Sequence, residues 1–491
     1  MSGETVSLSE GGDMSASRLH PDRLFPAEPA LRALARELYG SIAGLPLLSP
    51  HGHLDPAVFV DNAPMTGIGQ ALVGSDHYVV RLLHGMGIPL SEMLAGPDGP
   101  RDDRAMWHML AAHWWRLAGT PSRVWLEQVV ADVLGMEETP DAENADRLYD
   151  ACAARLAAAP LRPRDVVAGF GLEVLTTTDS PLVDLGPHRA LDADPGFAPR
   201  LLPTYRPDLL IDPARPGFAA AIEALGEMTG EATDTYGGYR AALAARRADF
   251  AAAGATASDH GVEISTTEHL GDEEARVLFD RVRTGRGDRG EIEAFRGHMM
   301  SEMAAMAADD GLVMQLHIGV VRDYRRDITA AYGPDVGQDF PVATEYTRTL
   351  RPLLERYGEA AGFRMVLYSV DETVFSREIG PLVSYFPGLY AGAPWWFLDA
   401  PDVMTRAFTA FGETAGLTKL AGFVDDSRAL LSLGARHDVA RRICCGYLAR
   451  LVGEHRISLA EGERLARGYA YEQPRAVFRL GTGASAARAE R

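Results

Sequence analysis

"LPLLSPHGHLDP" occupies residues 45–56, an apolar run that breaks into polar residues at a pair of histidines. The run reads as a buried strand, and the spacing of His51 and His53 puts both imidazoles on one side of it. What fold carries this strand depends on whether the pattern recurs. It recurs at "LEVLTTTD" (172–179), "RLLPTYR" (200–206), "GATASDH" (254–260), "LVMQLHI" (312–318), "RMVLYSV" (364–370), "LYAGAPWWF" (389–397) and "LTKLAGFVDD" (417–426), which makes eight. Ala/Arg/Glu/Leu-rich stretches with helical spacing separate most of them, among them "GFAAAIEALGEM" and "EYTRTLRPLLERYGEA". Strand–helix alternation repeated eight times predicts a (β/α)8 TIM-type barrel. An open doubly wound sheet is the structural alternative. No glycine-rich phosphate fingerprint follows the first strand, so no nucleotide cofactor is expected.

About 120 residues separate the first two strands, far more than one crossover helix needs. The intervening "RDDRAMWHMLAAHWWRLAGT" is helical in pattern and rich in tryptophan. Residues 60–165 are therefore expected to form a helical subdomain inserted after strand one, over the barrel mouth. Residues 19–59 then hold the N-terminal helix and strand one, and 166–480 the remainder of the barrel. Residues 1–18 and the tail 481–491 are small, polar and turn-rich, and read as flexible.

The 491 residues carry a formal net charge of −20. Such a surface repels phosphate backbones and anionic lipid, so neither nucleic acid nor membrane is an expected partner. An anionic small substrate would need local arginines. Lys419 is the single lysine, which removes Schiff-base chemistry and carboxylated-lysine bridging unless that residue serves. The three cysteines, Cys152, Cys444 and Cys445, cannot form a disulfide framework. Reduced thiols, no signal-peptide pattern and no run of about 18 apolar residues point to the cytoplasm.

In such a barrel the C-terminal strand ends share one face, so residues remote in sequence become neighbours. His51 and His53 end strand one, His317 ends strand five and Asp426 ends strand eight in "VDDSR". Taken singly, a strand-end histidine fits a core residue and Asp426 fits a helix N-cap. Three imidazoles and a carboxylate on one face suit a divalent cation.

With these residues in view, the chain resembles the amidohydrolase superfamily, and within it the uronate (glucuronate) isomerase family. The resemblance is carried by "SDHYVVRLL" (75–83), "TTTDSPLVDL" (176–185), "TYRPD" (204–208), "ASDHG" (257–261), "LHIGVVRD" (316–323), "PWWF" (394–397) and "DDSR" (425–428). It implies an aldose–ketose isomerase with one divalent metal, zinc being the expected ion. It implies His51, His53 and Asp426 as metal ligands, with His317 on or near the metal. It further implies Tyr78, Asp426 and Arg428 in catalysis, Asp426 assisting sugar-ring opening and an ionised Tyr78 taking the C2 proton. His77, Arg206, Asp259, His317, Arg322 and Trp395 would bind the sugar acid. The expected partners are a hexuronate and further copies of the chain, as a homo-oligomer.

Elementary chemistry fits the resemblance. Moving a proton from C2 to C1 through an enediol involves no net redox change, and hence no nicotinamide. It needs a base and positive charge for the developing oxyanion. A substrate carboxylate calls for a guanidinium fork, for which Arg206 and Arg322 are candidates. Two features depart from the family pattern. Ser49 stands where the family's D-Y-H-C-H-L has an acid, and "YSVDETVFSR" replaces an N-P-R turn after strand six without aligning Arg377 to its arginine. The competing readings are a mononuclear metal-dependent hydrolase of deaminase or lactonase type, and a catalytically silent sugar-acid binding protein.

Overall fold

The computed structural model describes residues 19–96, 99 and 101–481. The segments expected to be flexible thus lie outside the described residues, apart from Gly481. Two parallel ladders contain the short apolar runs. β1 (Leu47–Ser49), β2 (Leu172–Thr176) and β3 (Arg200–Leu202) form one, in that order. β4 (Ala257–Val262), β5 (Val313–Ile318), β6 (Met365–Ser369) and β7 (Leu389–Ala391) form the other. Every residue of β4, β5 and β6 is buried, as expected of parallel strands covered on both faces.

Single residues join the ladders. The Tyr205 N–H donates to the Ala257 carbonyl (3.2 Å), and the Asp259 N–H donates to the Tyr205 carbonyl (2.9 Å). Beyond β7, Leu420 pairs with Ala391. The His53 N–H then donates to the Ser427 carbonyl (2.9 Å), returning the eighth segment to the first. The eight segments therefore follow one another around an α/β barrel in sequence order.

The eighth differs from the expected strand over 417–426. Leu417–Lys419 is a 3-10 turn, and among the described residues only Leu420 makes a bridge. Gly422 breaks the extended ladder with φ 89°, at a point where a Cβ would sit 2.6 Å from Pro474. Lys419 is turned away from the barrel face, its amine donating to the carbonyls of Phe386 and Pro387 at 3.1 Å each. A short antiparallel pair, Val320–Val321 with Phe340–Pro341, also follows β5 without a counterpart in the sequence pattern.

Between β1 and β2 run the helices Ala57–Asp61, His77–Gly85, Asp103–His113, Pro121–Gln128, Ala145–Ala158 and Pro163–Gly169. Trp107, Leu110, Trp114, Val129 and Val130 form an apolar cluster separate from that of the barrel. Asp76 caps the His77–Gly85 helix by accepting the Tyr78 N–H (2.9 Å), which fixes the direction in which His77 and Tyr78 leave the backbone. Tyr78 and Trp125 pack with the barrel's own core. All three cysteines are free and buried. No helix among the described residues is long and apolar enough to cross a membrane.

The entry to β1 is held by one side chain of the C-terminal helix Leu433–Gly453. Arg441, buried, donates to the carbonyls of Ile42 (3.2 Å), Ala43 (3.1 Å), Leu45 (2.9 Å) and Pro46 (2.9 Å). Removing it takes a charged donor from four carbonyls at once, of which that of Ile42 also accepts the Leu45 N–H (3.1 Å). Arg441→Met should therefore destabilise the fold by about 2–4 kcal/mol, read as a lowered midpoint in denaturant unfolding followed by tryptophan fluorescence.

Candidate active site

His51, His53 and Asp426 meet at the C-terminal end of the barrel. Asp426 Oδ1 lies 3.3 Å from His51 Nε2 and 3.0 Å from His53 Nε2. Their three donor atoms all fall within 4.8 Å of one another, a group able to hold a metal ion. His317 adjoins them, its ring centroid 4.5 Å from that of His51. His51, Asp259 and His317 form a second group of the same kind, sharing His51. The donor chemistry fits a divalent cation. Burial, aided by Arg428, pushes the His53 imidazole down to about 3 and so keeps it neutral. Asp426 Oδ1 and His317 Nε2 are buried without a hydrogen-bond partner.

Neighbouring side chains fix these groups in orientation. The Trp395 indole N–H donates to Asp426 Oδ2 (2.9 Å), and the Trp395 ring stands edge-on to His317 at 4.6 Å. Tyr368 stacks on the other imidazole face at 4.1 Å. His317 Nδ1 bonds Asp259 Oδ1 at 2.6 Å, which leaves Nε2 as the free ring atom. Burial alone would raise the Asp259 carboxyl, but His317 and Arg206 outweigh it and hold it well below the usual range. Arg206 meets Asp259 at 3.2 Å and donates to Asp208 at 2.8 Å.

Two more guanidiniums approach from loops. Arg322 lies over the Trp396 ring at 4.6 Å and within 3.5 Å of both Asp335 and Asp339. Arg428, two residues beyond Asp426, lies 3.4 Å from Asp335. A cavity of about 650 Å³ opens beside them, its lining including His317, Arg322, Trp395, Arg215 and Gly261.

His77 packs edge-on against Trp396 (5.3 Å), and neither of its ring nitrogens has a hydrogen-bond partner. Tyr78 lies between Trp125 (5.7 Å) and the Arg436 guanidinium, which stands 4.7 Å from its ring centre. Arg436 also pairs with Asp399 (3.0 Å) and donates to the Asp425 carbonyl (2.9 Å). Burial pushes the Tyr78 phenol well above its ordinary pKa, with Arg436 opposing the shift.

The glucuronate isomerase family profile matches residues 30–478. A uronate isomerase of Rhizorhabdus wittichii is 46% identical over 463 residues, covering 94% of this chain and 99% of its relative. The chain belongs to the glucuronate isomerase family. It is thereby an aldose–ketose isomerase. A uronate isomerase of Xanthomonas axonopodis pv. citri is 44% identical over 95% of this chain and 99% of its own. Among solved structures, glucuronate isomerase from Caulobacter crescentus superposes with TM-score 0.92 at 40% identity, over 94% of this chain and 97% of that one. Uronate isomerase from Thermotoga maritima gives 0.88 at 29% identity, over 94% and 99%.

All the residues singled out from the family pattern gather at this end of the barrel, with Tyr78 turned toward Arg436. Several others at the site had not been singled out. Asp335 and Asp339 come from the long excursion after β5, and Asp208, Tyr368, Trp396, Asp425 and Arg436 support its walls. Asp208, Trp396 and Asp425 lie inside the quoted stretches 204–208, 394–397 and 425–428, and Tyr368 inside the strand run 364–370, without a role assigned there. Asp335 and Arg436 carry no such signal. At the departure from the family pattern, Ser49 is fully buried, and Asp425 reaches the same place from the eighth segment. Ser49 Oγ and Asp425 Oδ1 lie 3.6 and 3.8 Å from where a Cβ on Gly52 would be. Arg377 is exposed and paired with Glu378 (2.7 Å).

Asp259 couples His317 to Arg206, so its charge orders both. Asp259→Asn should lower kcat/KM by about 10–100-fold while leaving the fold intact, as checked by steady-state kinetics beside circular dichroism.

Proposed function

We propose that the chain interconverts D-glucuronate and D-fructuronate, and D-galacturonate and D-tagaturonate, by moving a proton between C2 and C1 through an enediol. The observation that carries this reading is the convergence of His51, His53 and Asp426 beside the Arg322 and Arg428 guanidiniums. A metal group next to fixed cations suits a hydroxy-acid sugar whose oxygens gain negative charge during reaction.

His51, His53 and Asp426 would hold one divalent ion, zinc by donor type, with His317 beside it. The ion, when bound, supplies Lewis-acid charge to sugar oxygens. Asp426, whose carboxyl is held low by His51 and His53 against the pull of burial, is ionised and can accept the ring-opening hydroxyl proton. Arg322, stacked on Trp396, offers its fork to the substrate carboxylate, and Arg206 with Asp259 lines the adjoining wall. Arg428 faces the oxyanion that develops as the C2 proton leaves. Tyr78 is the group assigned to that proton. It acts in that role as a phenolate, and Arg436 against its ring supplies charge that offsets a phenolate in a buried site. His77 and Trp395 close the site against water.

A proton route has a consequence that a hydride shift lacks. With D-glucuronate deuterated at C2, the label should be lost to solvent water during turnover, seen by NMR of product and recovered substrate. Complete transfer of the label to C1, with none in the solvent even after many turnovers, would favour a hydride shift instead.

A further inference from the structure

The excursion after β5 enters the site in a rigid form. Its base is the Val320–Val321/Phe340–Pro341 pair. Within it the Asp323 N–H donates to Asp339 (2.6 Å), the Asp335 N–H to Asp323 (3.2 Å), and the Arg325 N–H to Gln338 (2.9 Å). Asp335 holds the left-handed conformation (φ 61°), which a side chain of its kind adopts at some cost. Gly337 lies flush on the His77–Gly85 helix, where a Cβ would come 2.8 Å from the His77 carbonyl oxygen. The loop is thus seated on one side by the barrel and on the other by the helix that carries His77 and Tyr78. Its tip delivers one carboxylate, Asp335, to Arg322 and Arg428 together.

The two acids beside Arg322 are not equivalent. The Asp339 side chain is 1% exposed and accepts a backbone N–H, so it is a fixed part of the wall. The Asp335 side chain is 37% exposed, and its carboxylate forms ion pairs with both guanidiniums. It is also the one ion-pair partner found for Arg428 among the described residues.

We propose that Asp335 is a displaceable counter-anion, standing between Arg322 and Arg428 until the carboxylate of an acidic sugar takes its place. The inference rests on the reading of Arg322 and Arg428 as substrate-facing cations. Two carboxylates cannot share this ground without repulsion, so entry of the sugar acid is an exchange of one anion for another. A neutral sugar has no charge with which to displace Asp335, and it meets guanidiniums already satisfied. Asp335 thereby lowers affinity for the anion and keeps the arginines paired and oriented between turnovers.

The test uses the full-length metal-loaded enzyme with three probes: D-glucuronate as substrate, D-gluconate as an anion lacking the aldehyde, and neutral D-glucitol. Asp335→Asn and Asp335→Ser should each lower the KM for glucuronate and the inhibition constant for gluconate by about three- to tenfold, the scale of a partly exposed ion contact. Inhibition by glucitol should tighten less than inhibition by gluconate. Values unchanged or raised for both anions in both variants would overturn the proposal. Arg322→Met is measured alongside. A raised KM there with no gain in the Asp335 variants rejects the counter-anion alone, whereas an unchanged KM rejects the carboxylate reading of Arg322 beneath it.

Discussion

The active end of this barrel depends on one closure, in which the chain after the eighth segment returns to the end of β1. The His53 N–H to Ser427 carbonyl bond makes that closure, and the adjacent Asp426 side chain then meets both imidazoles of the pair. Asp426 holds a left-handed backbone conformation (φ 48°) at this point. A regular strand running through it would send the carboxylate elsewhere, so the irregularity of the eighth segment and the chemistry of the site are one feature. Trp395 adds a donor to the same carboxylate from the neighbouring strand end. Arg436 steadies the turn from behind through the Asp425 carbonyl.

Charge is balanced locally and in detail around this closure. The chain as a whole is acidic, with a formal net charge of −20, yet its substrate is an anion. In the proposed function Arg206, Arg322 and Arg428 answer that problem, and they do so held apart from one another by paired carboxylates. Each is paired with carboxylates of the scaffold: Arg206 with Asp208 and Asp259, Arg322 with Asp335 and Asp339, and Arg428 with Asp335. Paired guanidiniums can be buried where free ones cannot. The aromatic rings of Trp395 and Trp396 supply the desolvated surface on which Arg322 rests.

Much of this was legible in the sequence because strand ends obey simple periodicity. His51 and His53 share a side at spacing two, and the order of eight apolar runs brings His317 and Asp426 to the same end as β1. The site residues on strands were therefore accessible to pattern alone, once the family resemblance gave them roles. What stayed hidden came from contacts without a period. The break at Gly422 depends on where Pro474 packs, so the eighth run looked like an ordinary strand. Asp335 enters the site because Gly337 fits a helix more than 250 residues earlier in the chain. Tyr78 was visible as a residue, but its protonation state depends on burial against Trp125 and Arg436, which no motif records.

In the proposed function, closure of the barrel builds a metal site on which uronate isomerisation depends. The direct measurement is ketose formation from D-glucuronate and D-galacturonate by the chelator-stripped enzyme as zinc is titrated back. Activity should rise linearly and saturate at one metal per chain, with the His51→Ala variant neither binding that equivalent nor recovering turnover. Full turnover by the metal-free chain, or undiminished turnover in His51→Ala, would contradict the account.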